Sequence, residues 1–154
     1  MSEAEKPAKP APLTRSEFTV FREIPTRWMD VDIYGHVNNV QYLSFFDTAV
    51  NGWYVDEGLL DPARSEEIFL VVETGCQYFA ELIFPEVVTA GIRTEKIGSS
   101  SVIYTIALFK DGQQTAAAQG RFVHVLVDRE NRRPVRINDH WRDALARLAG
   151  EPAS

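Results

Sequence analysis

The chain has 154 residues, 45% hydrophobic and 25% charged, which fits one globular domain with its own core and gives no sign of a second. Its formal net charge of −6 argues against non-specific nucleic-acid binding, although a local basic patch for a phosphorylated ligand remains compatible with it. No apolar run approaches the roughly 18 residues of a membrane span, and residues 1–12 lack the apolar core of a secretory signal. No nucleic-acid or membrane partner is therefore expected, and the cytoplasm is the expected compartment.

Residues 1–12 are mostly Ala, Pro, Lys and Glu and have almost nothing to bury. A disordered tail over 1–16 is expected ahead of one domain spanning 17–150. Phe18, Val20 and Ile24 alternate with polar residues, which predicts a strand over 18–28, with Pro25 suited to an edge or an end. A polar turn follows and then the longest helix. Asn38 or Asn39 caps it, and Gly58 marks its stop. Its apolar residues, from Val40 through Tyr42, Phe45, Phe46, Ala49 and Val50 to Tyr54, cover most of the circumference, the pattern of a buried helix. A long strand is predicted over 68–82, bent at Gly75. It contains the single cysteine, Cys76, which cannot form an internal disulfide and is expected as a buried thiol.

A third strand over 87–97 sets Val88, Ala90 and Ile92 on one face and Thr89, Gly91 and Arg93 on the other. A fourth over 101–110 alternates cleanly through Val102, Tyr104, Ile106 and Leu108. Asp111-Gly112 is a strong hairpin signal toward a fifth strand over 115–127. A last helix, capped by Asn138 or Asp139, carries one apolar stripe through Trp141, Ala144, Leu145, Leu148 and Ala149. Strands joined by short turns favour an antiparallel sheet, and a buried helix needs a sheet to wrap it, so the class is α+β.

The chemistry gathers before the long helix, where Asp30, Asp32, His36, Asn38 and Asn39 crowd around Gly35. The first N–H groups of a helix have no internal partner and carry partial positive charge, so an acyl oxyanion could rest there beside a carboxylate from the turn. By residue type alone, Asp32 is either an acid that attacks or activates water, or an Asx-turn aspartate holding the loop. Asp30 reads as a structural hydrogen-bonding acid. His36 could hold a water, bond a carbonyl or steady Asp32. Asp47, an acid within the long helix, needs a partner.

The run Asp-x-Asp-x-x-Gly-His-Val-Asn-Asn-x-x-Tyr over 30–42, followed by an aromatic-rich helix and strands, resembles the 4-hydroxybenzoyl-CoA thioesterase family of hotdog-fold acyl-CoA thioesterases. The resemblance covers about 18–149. It implies a curved antiparallel five-stranded sheet around a long central helix, with a short C-terminal helix. It implies hydrolysis of an acyl-CoA thioester to free acid and CoA, with Asp32 as nucleophile or general base and the Asn39 main-chain N–H in the oxyanion hole. It also implies a homodimer or homotetramer with sites at the subunit interface. Asp47 stands where some hotdog thioesterases carry their acid. A thioester suits so sparse a site because a thiol, with a reference pKa of about 8.5, leaves without strong acid help.

Tyr34, Tyr42, Phe45 and Phe46 are candidates to line the acyl pocket, with Asp47 facing that pocket or a dimer seam. Arg93, Lys96, Arg121 and Arg129 are candidates for the CoA phosphates, with plain solvated charge as the ordinary alternative. No cofactor and no metal are expected, since the acids and His36 match no dedicated ligand spacing. The rival readings are a hotdog dehydratase or hydratase, whose paired His-and-acid signatures are not seen, and a non-catalytic module binding acyl-CoA or acyl-carrier protein.

Overall fold

The computed structural model describes residues 10–149. In chain order these form β1 (Val20–Pro25), α1 (Asn39–Asp56), β2 (Glu67–Thr74), β3 (Gln77–Tyr78), β4 (Val87–Ile97), β5 (Ser101–Phe109), β6 (Ala118–Asp128) and α2 (Asp139–Ala146). Five long strands run in the order β1-β4-β5-β6-β2, all antiparallel, with the two-residue β3 also paired to β6. This is the α+β hotdog arrangement, a curled sheet around one long helix.

Period-two alternation turns Val88, Ala90 and Ile92 of β4, Tyr104, Ile106 and Leu108 of β5, and Phe122 and Leu126 of β6 inward. They form one buried cluster with Phe45, Phe46, Ala49, Val50 and Trp53 of α1. Burying the Val, Ile, Leu and Phe side chains among them stabilises by about 1.5–3 kcal/mol each relative to exposure, which is what holds the helix in the sheet. Asn138 caps α2 by accepting from Trp141 N–H, and Trp141, Ala144 and Leu145 join the same core.

Four expectations are corrected in detail. The first strand is shorter than 18–28, because after Pro25 the chain turns into a one-turn 3-10 helix, Trp28–Asp30. The strand over 68–82 is broken: β2 ends at Thr74 and β3 begins at Gln77, with the irregular step at Gly75 and Cys76. The Asp111-Gly112 pair is part of a longer connection, 110–117, although Gly112 does adopt φ +73°. The long helix is not buried all round. It buries the stripe Tyr42, Phe45, Phe46, Ala49, Val50, Trp53 and Tyr54, whereas Val40, Ser44, Asp47, Thr48 and Val55 are exposed. Within one chain the sheet curls over one side of α1 only.

Of the tail expected over 1–16, residues 1–9 lie outside the described residues. The described part runs along the sheet: Leu13 N–H donates to Gln119 Oε1 at 2.7 Å and Arg15 N–H to Gln114 O at 2.9 Å. Leu13 also packs on a small second cluster, Phe18, Ala107, Phe109 and Ala116, on the face of the sheet away from α1.

The core holds one polar chain that sequence reading missed. Tyr54 of α1 bonds Tyr104 of β5 and, at 2.8 Å, Nδ1 of His124 on β6. All three are buried, with His124 1% exposed and its ring stacked on Phe69. Burial pushes the His124 pKa down to about 3 from its ordinary 6.5. A neutral ring accepting at Nδ1 satisfies the Tyr54 hydroxyl, and the Tyr54 oxygen accepts in turn from Tyr104. Because the folded pKa lies below the unfolded one, the unfolded chain takes up the proton first as pH falls. The stability from a neutral His124 is complete above about pH 6.5 and drains away toward pH 3, at up to about 1.4 kcal/mol per pH unit. Denaturant melts at pH 7 and pH 5 are expected to differ by about 2 kcal/mol more in the wild type than in His124→Gln, which cannot titrate. Equal pH slopes for the two proteins would refute the assignment.

Candidate active site

The residues between β1 and α1 form a closed hairpin-like turn. Gly35, at φ +81°, supplies the left-handed corner that other residues resist, and its N–H donates to Asp32 O at 3.1 Å. Asp32 N–H donates to His36 O at 2.9 Å, and Val31 and Val37 bridge below. Asp30 is fully buried at the base. Its carboxylate accepts from Arg27 N–H at 2.7 Å and from the Arg27 guanidinium at 2.9 Å, and its carbonyl accepts from Asn38 N–H. Asp30 is thus the structural acid, fastening the start of α1 to the end of β1.

Asp32 sits at the exposed tip. Its Oδ1 accepts from Tyr34 N–H at 2.8 Å and His36 N–H at 3.2 Å, an Asx-type arrangement, and no bond is made by Oδ2 among the described residues. One oxygen therefore holds the loop and the other is open. The His36 ring is turned elsewhere, with Nε2 3.1 Å from Glu81 Oε2. What steadies Asp32 is the His36 main chain rather than its imidazole.

The turn leads straight into α1. Asn38 is the N-cap, its side chain accepting from Val40 N–H at 3.3 Å, and Gln41 N–H bonds Asn38 O. The Asn39 N–H donates to no group among the described residues. It is a free donor at the positive end of an 18-residue helix.

A third segment, 76–84, completes the surroundings. Val37 N–H donates to Leu82 O at 2.8 Å, and Leu82 N–H donates to the Tyr42 hydroxyl at 3.3 Å. The Tyr78 ring lies 4.9 Å from that of Tyr42, and its hydroxyl donates to Asn39 O at 3.3 Å. Glu81 and Tyr78 were not singled out from sequence. Glu81 is the lone charge in the apolar run 79–84, a signal that was available. Cys76 is half-buried rather than the buried thiol expected, and desolvation pushes its thiol up to about 11, so it stays protonated at neutral pH.

The predicted pocket residues divide. Tyr42 and Phe46 are buried, the latter packed over Gly120, whereas Tyr34 is 76% exposed and Asp47 faces outward, about 12 Å along the helix from Asn39. Asp47 bonds Asn51 Nδ2 at 2.9 Å. Desolvation by neighbouring protein pushes its carboxyl up, and the Asn51 bond counters that. Asp47 lines a cavity with Arg22, Asn51 and Asp56 on the outward side of the helix. Among the described residues no three of His, Cys, Asp and Glu gather as a metal site, and no helix is long and apolar enough to cross a membrane.

A curled antiparallel sheet around one long helix defines a hotdog protein. The chain belongs to the thioesterase-like superfamily, whose family model matches residues 26–145. It is similar to the PA5185 protein from Pseudomonas aeruginosa strain PAO1, at 50% identity and TM-score 0.88, over 94% of this chain and 100% of that one. It is also similar to a thioesterase from Thermus thermophilus solved with coenzyme A and Zn, at 27% identity and TM-score 0.71, over 88% of this chain and 98% of that one. A DHNA-CoA thioesterase from Staphylococcus aureus, 20% identical over 82% of this chain and 88% of that one, shares the fold with TM-score 0.72.

Proposed function

We propose that the chain hydrolyses acyl-CoA thioesters to the free acid and CoA, on a site of the 4-hydroxybenzoyl-CoA thioesterase type. The observation that carries the reading is the open Oδ2 of Asp32 on a turn that runs directly into a helix whose Asn39 N–H is unpartnered. A thioester carbonyl oxygen resting on that N–H is polarised, and negative charge developing on it is stabilised by the helix end. Asp32 then either attacks the carbonyl carbon, giving a mixed anhydride that water opens, or takes a proton from an attacking water. The CoA thiolate leaves in both cases. His36, paired with Glu81, borders the site and orients the water or the carbonyl. The superfamily match and a relative that holds coenzyme A support the substrate class.

The working unit is a homodimer or a larger assembly. β2 ends the strand order with one edge unpaired among the described residues, and its Leu70, Val71 and Val72 are exposed. Unpaired, apolar edge strands are ordinarily covered. Trp28, Met29, Ile33 and Val40, beside the Asp32 turn, are exposed as well, and a second copy over this side would bury Tyr34 and the outward face of α1 bearing Asp47.

Thiol release from short, long and aromatic acyl-CoAs, measured alongside light scattering of the same sample, tests both parts. Turnover of at least one acyl-CoA by an oligomer is the expected result. No turnover on any of them would remove the hydrolase reading in favour of a binding module, and a monomer would remove the assembly.

A further inference from the structure

The face of the sheet away from α1 carries a row that the catalytic reading does not use. Arg93 of β4 pairs with Thr105 of β5, and Thr105 with Arg121 of β6, so the three stand side by side across adjacent strands. At about 4.8 Å per strand the two arginine backbones lie roughly 10 Å apart. All three line a pocket of about 380 Å³, walled by Leu13 and by Gly75, Cys76 and Gln77 at the break between β2 and β3. Among the described residues no carboxylate lines it. In a chain of net charge −6, two cations gathered at one cavity stand out.

The guanidiniums are held from one side and open on the other. Arg93 donates from Nε to Glu95 at 2.7 Å and from Nη1 to Glu17 O at 3.2 Å, with its guanidinium 5.2 Å over the Phe18 ring. Arg121 lies with Nε 3.4 Å from Glu73. Among the described residues, Nη2 of Arg93, both Nη atoms of Arg121 and the Thr105 hydroxyl make no hydrogen bond. Gln119 also lines the pocket, but it is tied to the N-terminal segment through Leu13 N–H and Ala11 O, so it serves as wall. What remains is a set of cationic donors around a hydroxyl, the chemistry that takes phosphate oxygens.

The pocket is joined to the candidate site by one short element. Gln77 of β3 lines it, and the next residue, Tyr78, donates to Asn39 O at the start of α1. Cys76 lines the pocket and also packs against the core on the other face. We propose that the Arg93–Thr105–Arg121 row binds the phosphate groups of the nucleotide half of a CoA substrate, whose thioester arm passes the β2–β3 break toward Asn39. Of the four basic residues considered from sequence, Arg93 and Arg121 carry this role, and Lys96 and Arg129 do not line the pocket. The inference rests on the acyl-CoA reading, and it favours CoA itself over a carrier protein.

The test compares acyl-CoA with the same acyl group on pantetheine, which has no phosphates, and adds calorimetric titration with CoA, adenosine 3′,5′-bisphosphate and inorganic phosphate. Arg121→Gln is expected to raise KM for acyl-CoA by about tenfold with kcat little changed, an effect confined to the phosphate-bearing substrate. Glu73→Gln, which frees the Arg121 Nε, is expected to shift the same KM downward, a sign that a merely structural role would not produce. Equal effects of Arg121→Gln on both substrates, or none on either, would overturn the proposal. So would inorganic phosphate binding as tightly as CoA. If the wild type hydrolyses no thioester, the hydrolase reading falls, yet the titrations still decide the row: CoA binding weakened about tenfold by Arg121→Gln upholds it, and binding indifferent to that change ends it.

Discussion

Asp32→Asn is expected to lower kcat on the best acyl-CoA by about 10²–10⁴-fold, the usual span for losing a positioned acid–base group, with the melting temperature almost unmoved. The turn explains the second half of that expectation. Asp32 holds its loop through Oδ1, which accepts from Tyr34 and His36 N–H, and an asparagine side chain keeps an oxygen able to accept both bonds. The substitution therefore removes the charge at Oδ2 while leaving the loop tied. Asp32→Ala removes both and is expected to cost an additional 1–2 kcal/mol or so of stability, as loss of a capping side chain does. Thiol-release kinetics with thermal melts on the two variants separate the chemical role from the architectural one. Full turnover in Asp32→Asn would show that the carboxylate only braces the turn, and Asp47→Asn would become the variant to measure.

Gly120→Ala is expected to be the most damaging glycine-to-alanine change among the described residues. Gly120 lies on the helix-facing side of β6, where a Cβ would stand 1.9 Å from the Gly75 carbonyl oxygen and 2.8 Å from Phe46 Cε2. The first contact is with backbone, which cannot swing aside, and Phe46 is fully buried and has nowhere to retreat. Either the Gly75–Cys76 crossing detaches from β6 or α1 lifts from the sheet. Overpacking of this kind costs about 3 kcal/mol or more, roughly a 10 °C fall in melting temperature for a chain of this size. Gly112→Ala makes the comparison. No atom lies within 4 Å of its would-be Cβ, so only the φ of +73° is at stake, about 1–2 kcal/mol. A Gly120→Ala protein as stable as Gly112→Ala would mean that the β2–β3 crossing yields freely. The same crossing walls the phosphate pocket and adjoins Tyr78, so its rigidity bears on the site as well as the fold.

The elements that could be read in advance were those whose side-chain pattern is local. β4 falls on residues 87–97 with the predicted inward and outward faces, and α1 starts at the predicted cap and stops before Gly58. The turn residues around Gly35 could be picked out because only a few residue types adopt such a corner and bond their own backbone. The long helix departs from its reading in one respect. Composition counts the apolar residues of α1, whereas only the curl of the sheet decides which of them it covers, and Val40 and Val55 stay outside. Strand register was likewise out of reach. His124 looks like any strand histidine until β6 is set against β5 and α1, when it meets two tyrosines in the core.

By itself, the amino-acid order determined the α+β class, the Asp32 turn feeding a capped helix, and the acids and asparagines available there, because caps, turns and alternation are settled between residues a few positions apart. Only the tertiary structure decided that Asp30 is buried and spoken for while Asp32 keeps an open oxygen, that His36 faces Glu81, and that Arg93 and Arg121 share a cavity. Those outcomes depend on which strand lies beside which and in what register, and the pairing energy that sets them comes from contacts between residues tens of positions apart.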